Sequence, residues 1–158
     1  MRRKLYIETT VVSYLVARPS KSKVVAGHQE STLVFWRRLN EFDGYFSDLV
    51  WREASRGDEA QAKARLEILS SLEMLEADIE AKRLAAKLLK GLAIPSEYPD
   101  DALHIAIATV NGMDFIVTWN FKHINNPVMR AKIRAVVENA GYVAPEICSP
   151  EEVVEGEQ

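Results

Sequence analysis

Cysteine and histidine are scarce in this sequence, which has one cysteine, Cys148, and three histidines among 158 residues. A single thiol cannot form an internal disulfide, and no Cys/His cluster has the spacing of zinc ligands. Cys148 also lacks a nearby base in sequence and is predicted to be a small buried apolar residue. A reducing compartment suits such a chain, and the cytoplasm is the predicted one.

Long apolar runs are missing as well. No stretch approaches the roughly 18 apolar residues of a membrane span. Residues 1–4 resemble the basic start of a signal peptide, but Glu8, Thr9 and Thr10 interrupt any apolar segment behind them. We therefore expect no membrane association.

Neither sign of charge dominates, since the formal net charge is −3 and the sequence pI is about 5.7. This balance excludes indiscriminate nucleic-acid binding through an overall basic field, so any nucleic-acid contact must use a local patch. Six basic residues are candidates for such a patch, and solvated surface charge explains them equally well. They are Arg18, Lys21, Lys23, Arg52, Lys122 and His123.

What the chain does have is enough apolar material for one core, with 47% hydrophobic residues in a length typical of a single domain. We predict one domain over residues 1–150. Residues 149–152 have the pattern of a helix capping box. Residues 151–158 are predicted as an acidic C-terminal tail with a frayed end.

Short β-prone segments alternate with helical patterns, and this order predicts an α/β fold: a three-layer sandwich in which helices flank a short-stranded parallel sheet. In such sheets ligands bind at the carboxyl ends of the strands. The predicted strands centre on residues 5–7, 44–46, 73–75, 115–118 and 146–148.

Polar side chains follow several of these strands. Glu8 follows the first strand, Asn120 follows the fourth, and Asp101 opens the helix that leads into the fourth. Asp101 stands beside Asp100 and after Pro99, and two acids at a helix start are also explained by capping alone. The topology nevertheless predicts that these groups converge.

Glu53 lies in the middle of the helix predicted after the second strand, a position more typical of a solvated surface charge. Together with Glu8 and Asp101 it would form a cluster of carboxylates, with Asn120 as a neutral fourth ligand. Carboxylates without histidine or thiolate partners suit Mg²⁺ or Mn²⁺. Such an ion lowers the pKa of a bound water and so prepares hydroxide for attack on phosphorus.

Four segments, residues 5–15, 47–53, 101–106 and 116–121, resemble in order and spacing the four motifs of PIN-domain ribonucleases. The resemblance covers about residues 4–148 and is closest to the VapC-like toxins of type II toxin–antitoxin systems. It implies a PIN-like fold and a magnesium- or manganese-dependent endoribonuclease. It further implies an RNA substrate, a cognate antitoxin protein as partner, and a homodimer.

Carried over position by position, the family pattern makes Glu8, Glu53, Asp101 and Asn120 the catalytic residues, and the three acids among them the metal ligands. Asp101 rather than Asp100 takes the role because it precedes the Ala-Leu-His-Ile-Ala segment; Asp100 is then predicted to cap the helix. Two positions depart from the family, which usually has aspartate followed by Thr-Asn at the first and often aspartate at the fourth.

Three alternatives stay open. The chain could be a catalytically weakened or inactive PIN-like module that binds RNA or a protein partner, or a metal-dependent phosphatase or DNA nuclease using the same acids.

Thr118 is expected to orient a ligand or a water. His104 follows Asp101 by three residues and could face the site, although a packed or surface role is favoured. Core packing is likewise favoured over base stacking for Trp36, Trp51 and Trp119.

Overall fold

The structure, a computed structural model, describes residues 1–156 and is built around a five-stranded parallel sheet. Its strands are β1 (Lys4–Ile7), β2 (Asp43–Ser47), β3 (Glu73–Leu75), β4 (Phe115–Val117) and β5 (Glu146–Cys148). Their order across the sheet is β3-β2-β1-β4-β5. All neighbouring strands run parallel. Each of the five predicted strands is thereby confirmed.

Eight α-helices connect and cover the strands within residues 1–156, together with a short 3₁₀ turn at Leu39–Glu41. The helices are α1 (Thr9–Val16), α2 (Lys23–Arg37), α3 (Asp48–Ala54), α4 (Glu59–Leu69), α5 (Ile79–Lys90), α6 (Pro99–Val110), α7 (Pro127–Asn139) and α8 (Pro150–Gly156). None of them is long and apolar enough to cross a membrane.

Two apolar cores lie on opposite faces of the sheet, as the predicted three-layer sandwich requires. In β1, Tyr6 packs into one core, and its neighbours Leu5 and Ile7 pack into the other. This alternation follows from the two-residue period of a strand. The first core is covered by α3 to α7, and the second by α2 and α8 with Val11 of α1.

The C-terminal segment differs from the predicted tail. The capping box at residues 149–152 is present, because Ser149 and Glu152 exchange hydrogen bonds. Beyond it the chain forms α8, whose Val153 and Val154 are buried in the second core. Burial of these two valines orders residues that composition alone marks as an acidic tail; residues 157 and 158 lie outside the described residues.

The strand order determines where on the sheet a ligand site is expected. From the central β1 the chain proceeds to β2 and β3 on one side, and later to β4 and β5 on the other. The order therefore reverses between β1 and β4, and ligands of parallel α/β sheets bind at such a switch point, beyond the carboxyl ends of the strands. Glu8 and Thr118 directly follow these two strands, and α3 begins directly after β2.

Candidate active site

All four predicted site residues line one cleft of about 520 Å³. Glu8 lies between β1 and α1, and Glu53 in α3. Asp101 lies in the first turn of α6, and Asn120 in the loop after β4. The cleft thus collects residues from four separate segments. The strand topology predicts this convergence for Glu8, Asp101 and Asn120, and Glu53 joins them from the middle of α3. Their roles as catalytic or metal-binding residues stay predictions.

Glu8 is the N-cap of α1 and is only 4% exposed. Its Oε1 accepts hydrogen bonds from the backbone N–H of Thr10 at 3.2 Å and from the hydroxyls of Thr10 and Thr118 at 2.5 and 2.7 Å. Thr118 therefore orients a carboxylate, in line with its expected role. Burial raises the pKa of Glu8, although the charge of His104 and these hydrogen bonds act in the opposite direction.

Glu53 is also held through one oxygen. Its Oε1 accepts from the Thr9 hydroxyl at 2.6 Å and lies 2.6 Å from Nε2 of His104. Partial burial raises the pKa of Glu53, but the hydrogen bond and charge of His104 and the Thr9 hydroxyl outweigh burial, so the pKa is lowered overall. At neutral pH this carboxylate is ionised.

His104 joins this carboxylate to the core. The ring is 1% exposed, and its Nδ1 lies 2.7 Å from the hydroxyl of Tyr6, which in turn lies 2.8 Å from Oγ of Ser47. Burial lowers the pKa of His104, but the hydrogen bond to Glu53 and the nearby carboxylate charges more than compensate, so its pKa is raised. The packed role is confirmed, and the same ring also contacts the site.

Asp101 contacts both predicted and unpredicted neighbours. Its Oδ1 accepts from Nδ2 of Asn120 at 3.2 Å, and its Oδ2 lies 2.9 Å from Nδ1 of His123. The Oδ1 of Asn120 accepts from the backbone N–H of His123 at 3.0 Å. Asn120 was predicted to offer its oxygen to a metal; in the structure its nitrogen faces Asp101 and its oxygen secures the loop.

Asp100 does not cap the helix. The N-cap of α6 is Tyr98, whose side chain makes no capping hydrogen bond, and Pro99 is the first helical residue. Asp100 therefore lies inside the first turn, beyond the capping position. Its Oδ1 is 3.4 Å from Nη2 of Arg52, in a solvent-exposed pair.

Several residues at the site were not predicted from the sequence, among them Thr9 and Thr10, which hold the glutamates, and two charged or titratable residues. His123 was assigned only to a basic surface, but it contacts Asp101. Arg56, which follows Glu53 by three residues, lines the cleft, and its charge helps to lower the pKa of Glu53. Its position one turn after Glu53 was an available signal. No local pattern pointed to His123, because the contact depends on how the loop after β4 folds.

The expectations for the three tryptophans hold only in part. Trp119 is 6% exposed and Trp36 is half-buried, and both pack in the second core. Trp51 is 37% exposed and lines a surface groove beside α4, so the predicted core position is wrong for this residue. It occupies the outer side of a short helix whose buried residues are Leu49, Val50 and Ala54.

Of the three predicted metal ligands, the two glutamates have free carboxylate oxygens that fit a divalent cation, whereas both oxygens of Asp101 have hydrogen-bond partners. Glu8, Glu53 and His104 each offer a ligand atom within 4.8 Å of the other two. Both nitrogens of His104 already have partners, whereas Oε2 of each glutamate has no hydrogen-bond donor within residues 1–156. Neither Oε2 is fully buried, and both glutamates line the cleft. Free carboxylate oxygens are the ligands that Mg²⁺ and Mn²⁺ prefer.

Comparisons with known proteins agree with this fold. No curated protein matches the chain. Among solved structures, VapBC2 from Rickettsia felis, bound to a DNA fragment from its promoter, shares 21% identity with a TM-score of 0.54, covering 75% of this chain and 89% of that chain. VapC20 of Mycobacterium tuberculosis, a Sarcin-Ricin loop cleaving toxin, shares 14% identity with a TM-score of 0.56, covering 88% of this chain and 96% of that chain.

At these identities the likeness concerns the fold. The family model named PIN domain matches residues 5–127, which is well over half of the chain. The matched range includes the four predicted site residues, Glu8, Glu53, Asp101 and Asn120. The chain therefore belongs to the PIN domain family.

Proposed function

We propose that this protein is a metal-dependent endoribonuclease that hydrolyses RNA phosphodiesters and acts as the toxin of a toxin–antitoxin pair. One observation carries the proposal: the carboxylates of Glu8, Glu53 and Asp101 line one cleft. Glu8 and Glu53 are each held by hydrogen bonds to Oε1, and their Oε2 atoms have no donor within residues 1–156. Membership of the PIN family supports a nuclease, and the fold it shares with VapBC2 and VapC20 supports a toxin.

Glu8, Glu53 and Asp101 would hold Mg²⁺ or Mn²⁺. When bound, the ion lowers the pKa of a water ligand and neutralises charge on the phosphate. The chain's own contribution is the orientation of the ligands. Thr10 and Thr118 hold Glu8, and Thr9 and His104 hold Glu53, in each case through Oε1, so Oε2 of either glutamate would be free to bind the ion. Such hydrogen bonds reduce the reorganisation needed when the ion binds.

Other residues of the cleft suit a polyanionic substrate. Arg56 lines the cleft and is exposed, so its guanidinium can contact a phosphate without losing a buried partner. Lys122 lies in the loop after β4, is exposed, and belongs to the basic patch expected from the sequence. Arg52 of that patch is paired with Asp100 instead.

A weakened or inactive module that binds RNA or a protein is the second candidate. Two observations favour it: burial raises the pKa of Glu8, and the Asn120 nitrogen faces the carboxylate of Asp101. Protonation of Glu8 competes with metal binding, and an amide adds no negative charge. The two candidates differ in whether any metal-dependent cleavage occurs.

The decisive experiment is a Mn²⁺ titration of the purified protein with labelled RNA, with single-stranded DNA and a phosphomonoester run in parallel. We expect RNA cleavage that rises with Mn²⁺ and stops in excess EDTA. Asp101→Asn and Glu53→Gln should lose cleavage while keeping their circular dichroism spectra. Glu67→Gln, which changes an exposed acid on α4, should cleave like wild type. Undiminished cleavage in EDTA contradicts the mechanism, and no cleavage at any Mn²⁺ concentration favours the binding module.

The proposed assembly follows from the same family membership. We expect a homodimer in solution, to be measured by light scattering, and a cognate antitoxin that suppresses cleavage when co-expressed from a neighbouring small gene. The single buried cysteine supports the cytoplasm as the compartment. A monomeric mass contradicts the dimer without touching the nuclease proposal.

A further inference from the structure

We propose that the exposed rings of Tyr98 and Phe121 form stacking platforms for nucleobases next to the cleft. The inference rests on the proposed RNA substrate and adds the part of it that is recognised. Tyr98 is 40% exposed and Phe121 is 45% exposed. Large aromatic rings on a surface have the geometry that single-strand binding uses.

Phe121 lies on a rigid aromatic base. Its ring centroid is 5.8 Å from those of His28 and Trp119, and these two rings stack on each other at 4.2 Å with 17° between their planes. Trp119 is fixed because its indole N–H donates to Thr32 at 2.8 Å. Tyr14, which lines the cleft, packs edge-on against His28 and Trp119. Phe121 is the exposed member of a cluster of packed aromatic rings, and Tyr14 of the same cluster lines the cleft.

Tyr98 is connected to the cleft through His123. Its ring lies 3.8 Å from the ring of His123, with 30° between the planes, and His123 contacts the Asp101 carboxylate at 2.9 Å. Pro99 follows Tyr98 and begins α6, which restricts the backbone at this position. A base stacked on the free face of Tyr98 would therefore be separated from the Asp101 carboxylate by the rings of Tyr98 and His123.

The loop after β4 carries Phe121 and the His123 ring on which Tyr98 packs. Asn120 lines the cleft, and its side chain accepts the His123 backbone N–H while its backbone C=O accepts those of Ile124 and Asn125. Phe121 follows Asn120 directly, and its N–H donates to Trp119. The loop is thus held by its own hydrogen bonds before any ligand binds, which lowers the entropic cost of ordering it around RNA.

The chemistry of the patch suits nucleobases in general rather than one base. Every nucleobase has a π face, so stacking on a ring tolerates many sequences. Lys122 directly follows Phe121 and is exposed, so its ammonium group can contact the RNA backbone. Binding through the two rings should therefore discriminate only weakly among bases.

Fluorescence anisotropy of a labelled single-stranded RNA, measured in EDTA so that no cleavage occurs, tests the proposal. Tyr98→Ala and Phe121→Ala should each weaken binding by about tenfold. Tyr98→Phe and Phe121→Tyr should bind like wild type, because they keep the ring. Tyr98→Leu and Phe121→Leu keep apolar packing without a π face and should behave like the alanine variants. Trp51→Ala, an exposed aromatic outside the cleft, should not change affinity.

A second arm uses an RNA of equal length whose central nucleotides are abasic. Wild type should bind it about as weakly as a Tyr98→Ala/Phe121→Ala double variant binds normal RNA, and the double variant should lose nothing further. Equal affinities of wild type and the alanine and leucine variants for normal RNA overturn the proposal. So does a loss that is as large on abasic RNA, or the absence of RNA binding by wild type.

The cleavage assay separates this proposal from the proposed function. Base-dependent binding without Mn²⁺-dependent cleavage supports the platforms and rejects the nuclease. Normal cleavage with unchanged KM in the alanine and leucine variants keeps the nuclease and rejects the platforms.

Discussion

Nε2 of His104 lies 2.6 Å from Oε1 of Glu53, while Nδ1 of the same ring lies 2.7 Å from the Tyr6 hydroxyl. One buried imidazole thereby connects the central strand to the helix that carries a predicted metal ligand. The hydrogen bond keeps the carboxylate in place before any ion binds, and the charges of the two groups stabilise each other. The site is supported from the core as well as from its own loops.

Removing this imidazole should cost stability. His104→Ala leaves the Tyr6 hydroxyl and the Glu53 carboxylate without a partner and opens a cavity, so we expect a loss of about 3 kcal/mol in the free energy of unfolding. Urea denaturation followed by circular dichroism measures it. Arg134→Ala, which breaks an exposed pair with Glu146, serves as control and should change stability little. Equal midpoints for the two variants would contradict a structural role for His104.

Thr118→Val tests the orientation of Glu8. The hydroxyl of Thr118 donates to Oε1 of Glu8 at 2.7 Å, and its loss should weaken Mn²⁺ binding about tenfold. The matched control is Thr109→Val, because Thr109 is also buried but its hydroxyl donates only to the Ile105 carbonyl within α6. Isothermal titration with Mn²⁺ compares the two. If both variants bind Mn²⁺ like wild type, Thr118 has no role in positioning the ligand.

Asn120→Asp replaces the amide by the acid that the family often has. The change removes the donor to Asp101 and places two carboxylates about 3 Å apart, so the protein without metal should be destabilised by about 1 kcal/mol or more. Mn²⁺ should then stabilise the variant more than wild type, because the site gains a negative charge. Thermal melts with EDTA and with Mn²⁺ measure both effects; Asn139→Asp, at the exposed end of α7, is the control.

Cys148 should resist alkylation in the folded protein. Burial raises the pKa of its thiol to about 12, so at pH 8 very little thiolate is present, and the side chain is also enclosed. Iodoacetamide at pH 8 should leave the native protein unlabelled and add one group in guanidinium, as mass spectrometry will show. At pH 9 the thiolate is still a very small fraction of the thiol, because that pH lies well below the thiol pKa. Raising the pH from 7 to 9 should therefore produce little labelling while the fold persists. Rapid native labelling at pH 8 would contradict the burial of this thiol.

Local pattern was sufficient where a single property decides the structure. The five strands are short apolar segments, and alternation along β1 sends Tyr6 to one face and its neighbours to the other. Caps such as Ser47 and Asn126 also follow from their own chemistry. The C-terminal segment shows the limit, since Val153 and Val154 are ordered by packing against distant elements.

The sequence by itself determined the α/β architecture and the convergence of Glu8, Asp101 and Asn120, because a parallel sheet gathers the residues near the carboxyl ends of its strands. Glu53 lies in the middle of a helix, so its place in the family motif was what pointed to it. Only the tertiary structure decided which atoms of those residues are available. The direction of the Asn120 amide, the contact of His123 with Asp101 and the exposure of Phe121 depend on one loop closing against α2 and α6. Such contacts join residues far apart in the chain, so no local spacing encodes them.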